Sequence, residues 1–252
     1  MNYFDAATWT GRWPFAFLDA HRPHSLHAQL SRHGIRRALV SPLDAVFAPA
    51  PGPANRELLR GTRNSPALLP VPVINPMLAD WRSELAILVK DSRVRAVRLL
   101  PAYHNYRMNH RVLAGLAAEL VRYRLRVIVQ IRLIDERHEY HGLNIKPVRS
   151  AELEVFLKRD PQIPVLASGL LRSEIFPLLP KHPQLLADLA FAEWHETVRH
   201  LTAKVSVRQL AFASHTPFLI TAAARAKLDP SGLPPGKLTA IASGNLQRWL
   251  DI

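Results

Sequence analysis

The stretch RVIVQI, residues 126–131, decides how this sequence folds, because its centre, VIV (127–129), is a continuous run of β-branched apolar residues. A strand buried on both faces of a parallel sheet has such an unbroken apolar run, whereas a half-exposed strand alternates. The segment before it carries an apolar helical stripe from Leu113 to Leu120, and Ser150 precedes another amphipathic segment after it. We therefore predict a parallel strand that lies between two helices.

The same unit recurs from one end of the sequence to the other. Eight short apolar runs alternate with helix-length segments, at residues 3–6, 38–41, 69–74, 94–99, 126–131, 164–167, 185–189 and 210–213. Parallel strands need crossovers of a dozen or more residues, which these segments supply. The pattern predicts an α/β fold, a (β/α)8 TIM barrel formed as one domain by residues 1–252. A doubly wound open sheet is the alternative, although no Gly-x-Gly-x-x-Gly follows any strand.

Two helix boundaries can also be placed. Ser25 is expected to cap the first helix, which ends at Gly34. Residues 237–250 are expected to form one closing helix.

Composition limits the class of protein. The chain has 252 residues, of which 48% are hydrophobic and 21% charged, as in ordinary globular proteins. It has no cysteine, which excludes disulfides, thiolate metal ligands and cysteine nucleophiles. No segment has the pattern of a signal peptide or the length of a membrane span, so we expect a soluble, cytoplasmic protein without a membrane partner.

The net charge of +13 raises the question of an anionic partner. Its Lys and Arg residues are scattered, and no known nucleic-acid-binding motif is present, so nucleic acid is an unlikely partner. A small anionic substrate fits the charge better, and a homo-oligomer stays open.

The carboxyl ends of barrel strands face the active site, so the polar residues there can be named from the sequence. His104 and His215 are the predicted acid–base residues, and Asp5 is expected to orient a histidine or act as a base. Arg98, Arg132 and Arg137 are predicted to bind a carboxylate or phosphate. The remaining substrate-binding candidates are Trp9, Asn75 and Tyr103. A structural role is the alternative for Asp5 and His104, and packing is the alternative for Trp9.

Several segments together resemble the amidohydrolase-related (Amidohydrolase 2 type) TIM-barrel family. They are FDAATWTG (4–11), VINP (73–76), RAVRLLP (95–101), FASHTPF (212–218) and ASGNLQRWL (242–250). The element GRWPF (11–15) resembles a divergent branch of that family that lacks the usual metal ligands.

The resemblance implies metal-dependent hydrolysis or decarboxylation of small organic acids, lactones or amides. At the family's ligand positions, however, this sequence has Ala7, Trp9, Arg132 or a neighbour, Ser168 and His215. Zinc is bound by Cys, His or carboxylate side chains, so we expect no metal and no other cofactor. A relocated metal at Glu136, His138 and His141 is the alternative to a polar loop there.

Two functions follow from these features. The first is a hydrolase or lyase of amidohydrolase type that acts on a small anionic organic substrate at a degenerate metal site. The alternative is a non-catalytic relative that binds a small molecule or serves as a scaffold. Nucleic-acid association through the net charge is a third, weaker interpretation.

Overall fold

The structure is a computed structural model and describes residues 1–135, 137, 139–140, 142–229 and 232–252. Its eight strands are β1 (Tyr3–Thr10), β2 (Ile35–Pro42), β3 (Leu68–Pro70), β4 (Ala96–Leu99), β5 (Arg126–Gln130), β6 (Val165–Ser168), β7 (Leu185–Asp188) and β8 (Leu210–Ala211).

Helices follow the strands in alternation. They are α1 (Pro23–Arg32), α2 (Gly52–Gly61), α3 (Trp81–Leu88), α4 (Val112–Arg122), α5 (Ser150–Arg159), α6 (Arg172–Leu178), α7 (Thr197–Thr202), α8 (Thr221–Ala226), α9 (Pro235–Thr239) and α10 (Asn245–Leu250). A π-helical turn, Ala240–Gly244, joins α9 to α10.

All neighbouring strands are parallel, in two runs of order β1-β2-β3 and β4-β5-β6-β7-β8. Backbone hydrogen bonds close both seams between the runs. At the β3/β4 seam, Arg98 donates to Pro72 (2.8 Å) and accepts from Ile74 (3.0 Å). At the β8/β1 seam, Trp9 donates to Thr216 (2.9 Å). The strands thus form a closed ring, and the predicted (β/α)8 barrel is confirmed.

The barrel wall has apolar residues on both faces. In β5, Val127 and Val129 pack outward against the helices, while Ile128 points into the barrel. Phe4 of β1 and Leu166 of β6 lie with Ile128 in the inner cluster. This two-sided burial explains why the strand reads as a continuous apolar run rather than as an alternating one.

Some predicted boundaries were wrong. The strand β1 extends to Thr10 instead of ending at residue 6, so Trp9 lies within the barrel wall. The helix α1 begins at Pro23, and Ser25 lies in its first turn, where its hydroxyl accepts from the Arg22 amide (3.2 Å). The expected closing helix is interrupted by the π-helical turn, in which the Ile241 carbonyl accepts a hydrogen bond from the Phe212 amide.

Among the helices that the structure describes, none combines the length and the apolar character that a bilayer crossing requires.

Candidate functional site

Four polar side chains from four strands lie fully buried at the carboxyl ends of the barrel. Asp5 belongs to β1, Arg98 to β4 and Asp188 to the end of β7, and His215 follows β8. We call these four residues the buried centre.

Arg98 is the positive charge of the buried centre. Its Nε donates to the Ser41 hydroxyl (2.8 Å) and its Nη1 to the Gln130 side chain. The guanidinium also covers the face of Trp9, with Cζ 4.4 Å from the ring centroid. Burial lowers the pKa of Arg98 to about 9, and the nearby Asp188 carboxylate opposes that shift. Arg98 therefore remains a cation at neutral pH.

Asp5 and Asp188 are the two carboxylates of the buried centre. Oδ1 of Asp5 accepts hydrogen bonds from the amides of Ala7 (3.1 Å) and Ser214 (3.0 Å). Oδ1 of Asp188 accepts from the amides of Gly169 (3.3 Å) and Ala190 (3.1 Å). Burial raises the pKa of Asp5 to about 7. Burial also raises the pKa of Asp188, and the positive charge of Arg98 opposes that second shift. Asp5 can therefore exchange a proton near neutral pH.

His215 has a defined tautomer. Its Nε2 lies 2.6 Å from the Leu133 carbonyl, which can only accept, so Nε2 carries the proton and Nδ1 has a lone pair. Among the described residues, Nδ1 has no hydrogen-bond partner. Burial lowers the pKa of His215 to about 3, so the imidazole is neutral. Its φ of 56° is unusual for a residue other than glycine and is frequent at functional sites.

Aromatic side chains close the buried centre from above. Trp9 is fully buried, and its ring lies 6.0 Å from that of His215. Trp13 belongs to the same apolar cluster as Trp9, with Phe47 at 5.3 Å and Phe218 at 5.1 Å. We call Trp9, Trp13, Phe47 and Phe218 the aromatic cap. Trp9 thus packs against the centre and forms part of its lid.

The other candidates of the β3 and β4 loops do not join the buried centre. His104 Nε2 is 3.1 Å from the Ala45 carbonyl, and burial lowers the pKa of this imidazole. Tyr103 packs on Phe47 of the cap at 5.5 Å. Asn75 accepts a hydrogen bond from the Met77 amide (3.1 Å). A structural role accounts for these contacts.

Arg132 and Arg137 meet at a second place, an open cavity of about 520 Å³ above the ends of β5 to β8. Arg132 forms a two-point ion pair with Glu174 (2.7 and 2.9 Å). Arg137, 74% exposed, pairs with Asp135. We call this space the rim cavity.

The sequence analysis missed two residues of the rim cavity. Arg172 begins α6, and its Cζ lies 4.3 Å from the ring centroid of Trp194, which is 62% exposed. Both follow a strand, β6 and β7 respectively, so their position in a loop at the carboxyl end was the signal available. Phe191 links the two sites, since it lines the rim cavity and its ring lies 5.0 Å from that of His215.

The residues at the family's ligand positions do not fit a metal ion. Ala7 and Trp9 offer no ligand, His215 directs its protonated nitrogen to a carbonyl, and the Arg98 cation lies against Trp9. The described residues contain no group of three or more His, Cys, Asp or Glu that could hold a metal. The relocated metal considered at Glu136, His138 and His141 lies outside the described residues.

Comparison of the whole fold identifies its relatives in architecture. The chain is similar to 5-carboxyvanillate decarboxylase from Sphingomonas paucimobilis, with a TM-score of 0.74 and 12% identity, covering 100% of this chain and 99% of the other. It is similar to 4-oxalomesaconate hydratase from Rhodopseudomonas palustris, with a TM-score of 0.72 and 13% identity over 99% and 95% of the two chains. An amidohydrolase from Mycobacterium avium subsp. paratuberculosis has a TM-score of 0.66 and 13% identity over 93% and 74%.

No protein-family model and no curated protein matches the sequence itself. The likeness is therefore one of architecture, at identities that establish a shared fold. The chain has the fold of the amidohydrolase-related TIM barrels, as its motifs predicted.

Proposed function

We propose that this protein binds a small organic anion in the rim cavity and acts on it as a lyase or hydrolase. The observation that carries the proposal is the convergence of Arg132, Arg137 and Arg172 on one open cavity at the carboxyl end of the barrel. This is the end at which TIM-barrel enzymes hold their substrates.

The three guanidinium groups differ in how they are held. Glu174 fixes Arg132 by a two-point ion pair, and Asp135 pairs with Arg137. Arg172 lies over Trp194, and no salt bridge ties it to a carboxylate of the described residues. Arg172 is therefore the group best placed to pair with an anion from solution, because a guanidinium can bind a carboxylate through two hydrogen bonds.

The chemistry assigned to the buried centre is proton transfer. Asp5 and His215 have pKa values of about 7 and about 3, so one exchanges protons near neutrality while the other stays a neutral acceptor. Titratable groups whose pKa values are moved apart are typical of acid–base sites. In this proposal, Phe191 separates the bound anion from His215, and displacement of its ring would connect the two sites.

The names of the structural neighbours agree with this class of ligand. One is named for the decarboxylation of 5-carboxyvanillate and another for the hydration of 4-oxalomesaconate, which are both small organic anions. These activities belong to those proteins, and for this chain they support the reaction class alone.

A binding assay tests the first half of the proposal. Isothermal titration with a panel of mono- and dicarboxylates should find at least one saturable ligand for the wild type. Arg172→Ala should weaken it about tenfold, because a hydrogen bond to a charged group contributes roughly 1.5–3 kcal/mol. Arg36→Ala is the matched control, since it removes the same charge from an exposed site at the start of β2. Equal affinities of the two variants would contradict the assignment of the cavity.

A non-catalytic binding protein is the second candidate, and the aromatic cap favours it. Asp5 and His215 have no exposed surface, and Trp9 packs directly against the centre. Incubation of each bound ligand with the protein, followed by mass spectrometry, separates the two functions. Turnover that Asp5→Asn abolishes while binding persists supports the enzyme, and unchanged ligand in every case supports the binding protein.

A further inference from the structure

The Arg98 guanidinium lies on the ring of Trp9 and donates to Gln130, beside two of the strand ends at which the sequence resemblance would place metal ligands. We infer that the buried guanidinium of Arg98 supplies, as a fixed cation, the positive charge that a bound metal supplies in barrels of this kind. The centre would then be complete without any ion from solution.

The first step is position. The Arg98 guanidinium lies on the ring of Trp9, which occupies the place of a first-strand ligand. Its Nη1 donates to Gln130 at the end of β5, near the expected fifth-strand ligand. Asp188 and His215 both lie close enough for the charge of Arg98 to act on them. The ends of β1, β5 and β8, at which the resemblance places metal ligands, therefore lie around the guanidinium.

The second step is charge. An isolated carboxylate buried at the centre of a barrel is costly unless a cation compensates it. Arg98 is the positive charge of the buried centre, and its field favours the charged form of Asp188, which burial disfavours. Asp5 is left without an equivalent partner, and its proton is retained to near neutral pH. The buried centre thus combines one fixed cation with two carboxyl groups whose pKa values burial raises.

The third step is the fit of the polar groups. Ser41 and Gln130 accept from Nε and Nη1 of the guanidinium, and the Trp9 face covers one side of it. A guanidinium over an indole face is attracted to the ring, and the attraction is stronger when both groups are removed from water. Acceptors in the plane of the group and an aromatic ring on its face suit a planar guanidinium, whereas a metal ion needs ligand atoms on all sides.

The assignment goes beyond the proposed function, because it concerns the internal charge and holds whether or not the rim cavity binds an anion. It is tested by a pair of substitutions of similar size. Arg98→Met removes the cation, whereas Arg98→Lys keeps one. We expect Arg98→Met to lower the melting temperature by about 10 °C and Arg98→Lys by clearly less.

Asp188→Asn shows whether charge or packing is responsible. If Arg98 compensates Asp188, the double variant R98M/D188N should melt several degrees above R98M alone, because the uncompensated carboxylate is gone. A packing role predicts no such rescue. Arg98→Lys behaving like Arg98→Met, or the absence of rescue by Asp188→Asn, would overturn the inference, and so would failure of the lysine variant to fold.

Metal ions provide the independent check. The melting temperature of the wild type should be the same after EDTA treatment and after addition of ZnCl2 or MnCl2, and elemental analysis should find far less than one metal per chain. A metal held stoichiometrically, with a melting temperature that falls on its removal, would overturn the inference.

Discussion

The buried centre and the rim cavity use arginine in opposite ways. Arg98 is fully buried, donates to a serine and a glutamine and lies on the face of Trp9, while its Nη2 has no hydrogen-bond partner among the described residues. Arg132 at the rim is tied at two points to Glu174, and Arg137 is 74% exposed. Arginine is thus a buried cation without a salt bridge at the centre, whereas Arg132 and Arg137 at the rim are each paired with a carboxylate. Stability measurements therefore report on the centre and on the buried ion pair of Arg132, and ligand binding reports on the rim cavity.

Truncation of Trp9 should have the largest effect on stability, because it removes a buried ring and also the aromatic face that contacts the Arg98 guanidinium. Trp9→Ala is expected to destabilise the protein by about 4 kcal/mol in urea unfolding, the usual cost of truncating a buried tryptophan. Trp9→Phe keeps a ring beneath Arg98 and should cost well under half of that. Equal losses for the two variants would mean that the ring face does not support the guanidinium.

The second effect should appear in the pH dependence of stability. Asp5 has a pKa of about 7 in the folded protein, above its ordinary value of 3.8. The native state therefore holds more protons than the unfolded chain between about pH 4 and pH 7, and this group's contribution to stability is lost as the pH rises through that window.

Asp5→Asn removes that loss and keeps an oxygen that can accept from Ala7 and Ser214. The variant should gain stability relative to the wild type as the pH rises, by roughly 3–4 kcal/mol between pH 4 and pH 8. Arg98, Asp188 and His215, which face the same centre, are present in both proteins, so their titration largely cancels in the difference. A difference that stays constant from pH 4 to pH 8 would show that Asp5 has an ordinary pKa.

An intermediate effect is expected where the rim is anchored. Glu174→Gln breaks the ion pair with Arg132, whose side chain is 7% exposed, and should cost roughly 1–2 kcal/mol. Glu152→Gln is the matched control, because its partner Arg149 is 66% exposed and such pairs contribute about 0–1 kcal/mol. If both variants unfold at the same urea concentration, the rim anchor is no stronger than a surface pair.

The smallest effect on stability should come from Arg172. Its guanidinium lies over the exposed Trp194, so Arg172→Ala should change the free energy of unfolding by less than about 0.5 kcal/mol. The same variant should lose anion affinity, as proposed above. A large loss of stability would mean that Arg172 stabilises the barrel, as Arg98 does, and would contradict its assignment to ligand binding alone.

The sequence was sufficient for the barrel and for part of the centre. Continuous apolar runs predict buried parallel strands, and Asp5, Arg98 and His215 follow from the rule that strand ends face the site. The site assignments remain predictions until ligands and variants are measured. The orientation of the loop residues could not be read, since His104 binds a backbone carbonyl that is 59 residues away in the sequence.

The division into a closed centre and an open rim was also hidden in the sequence. It depends on aromatic contacts such as that of Trp13 with Phe218, which come from loops far apart in the chain. Trp194 and Arg172 were missed for a related reason. Neither belongs to a motif, and they meet because α6 begins beside the loop that follows β7.

The contact between Arg98 and Trp9 also has a mechanical consequence. The wall consists of two runs of three and five strands; the backbone of Arg98 joins them at one seam, and the backbones of Trp9 and Ala6 join them at the other. The side chains of Arg98 and Trp9 are in contact inside the barrel, so this contact links the two seams. Opening either seam would disturb the contact between Arg98 and Trp9, which also supports the other seam. We therefore expect the two seams to open together during unfolding.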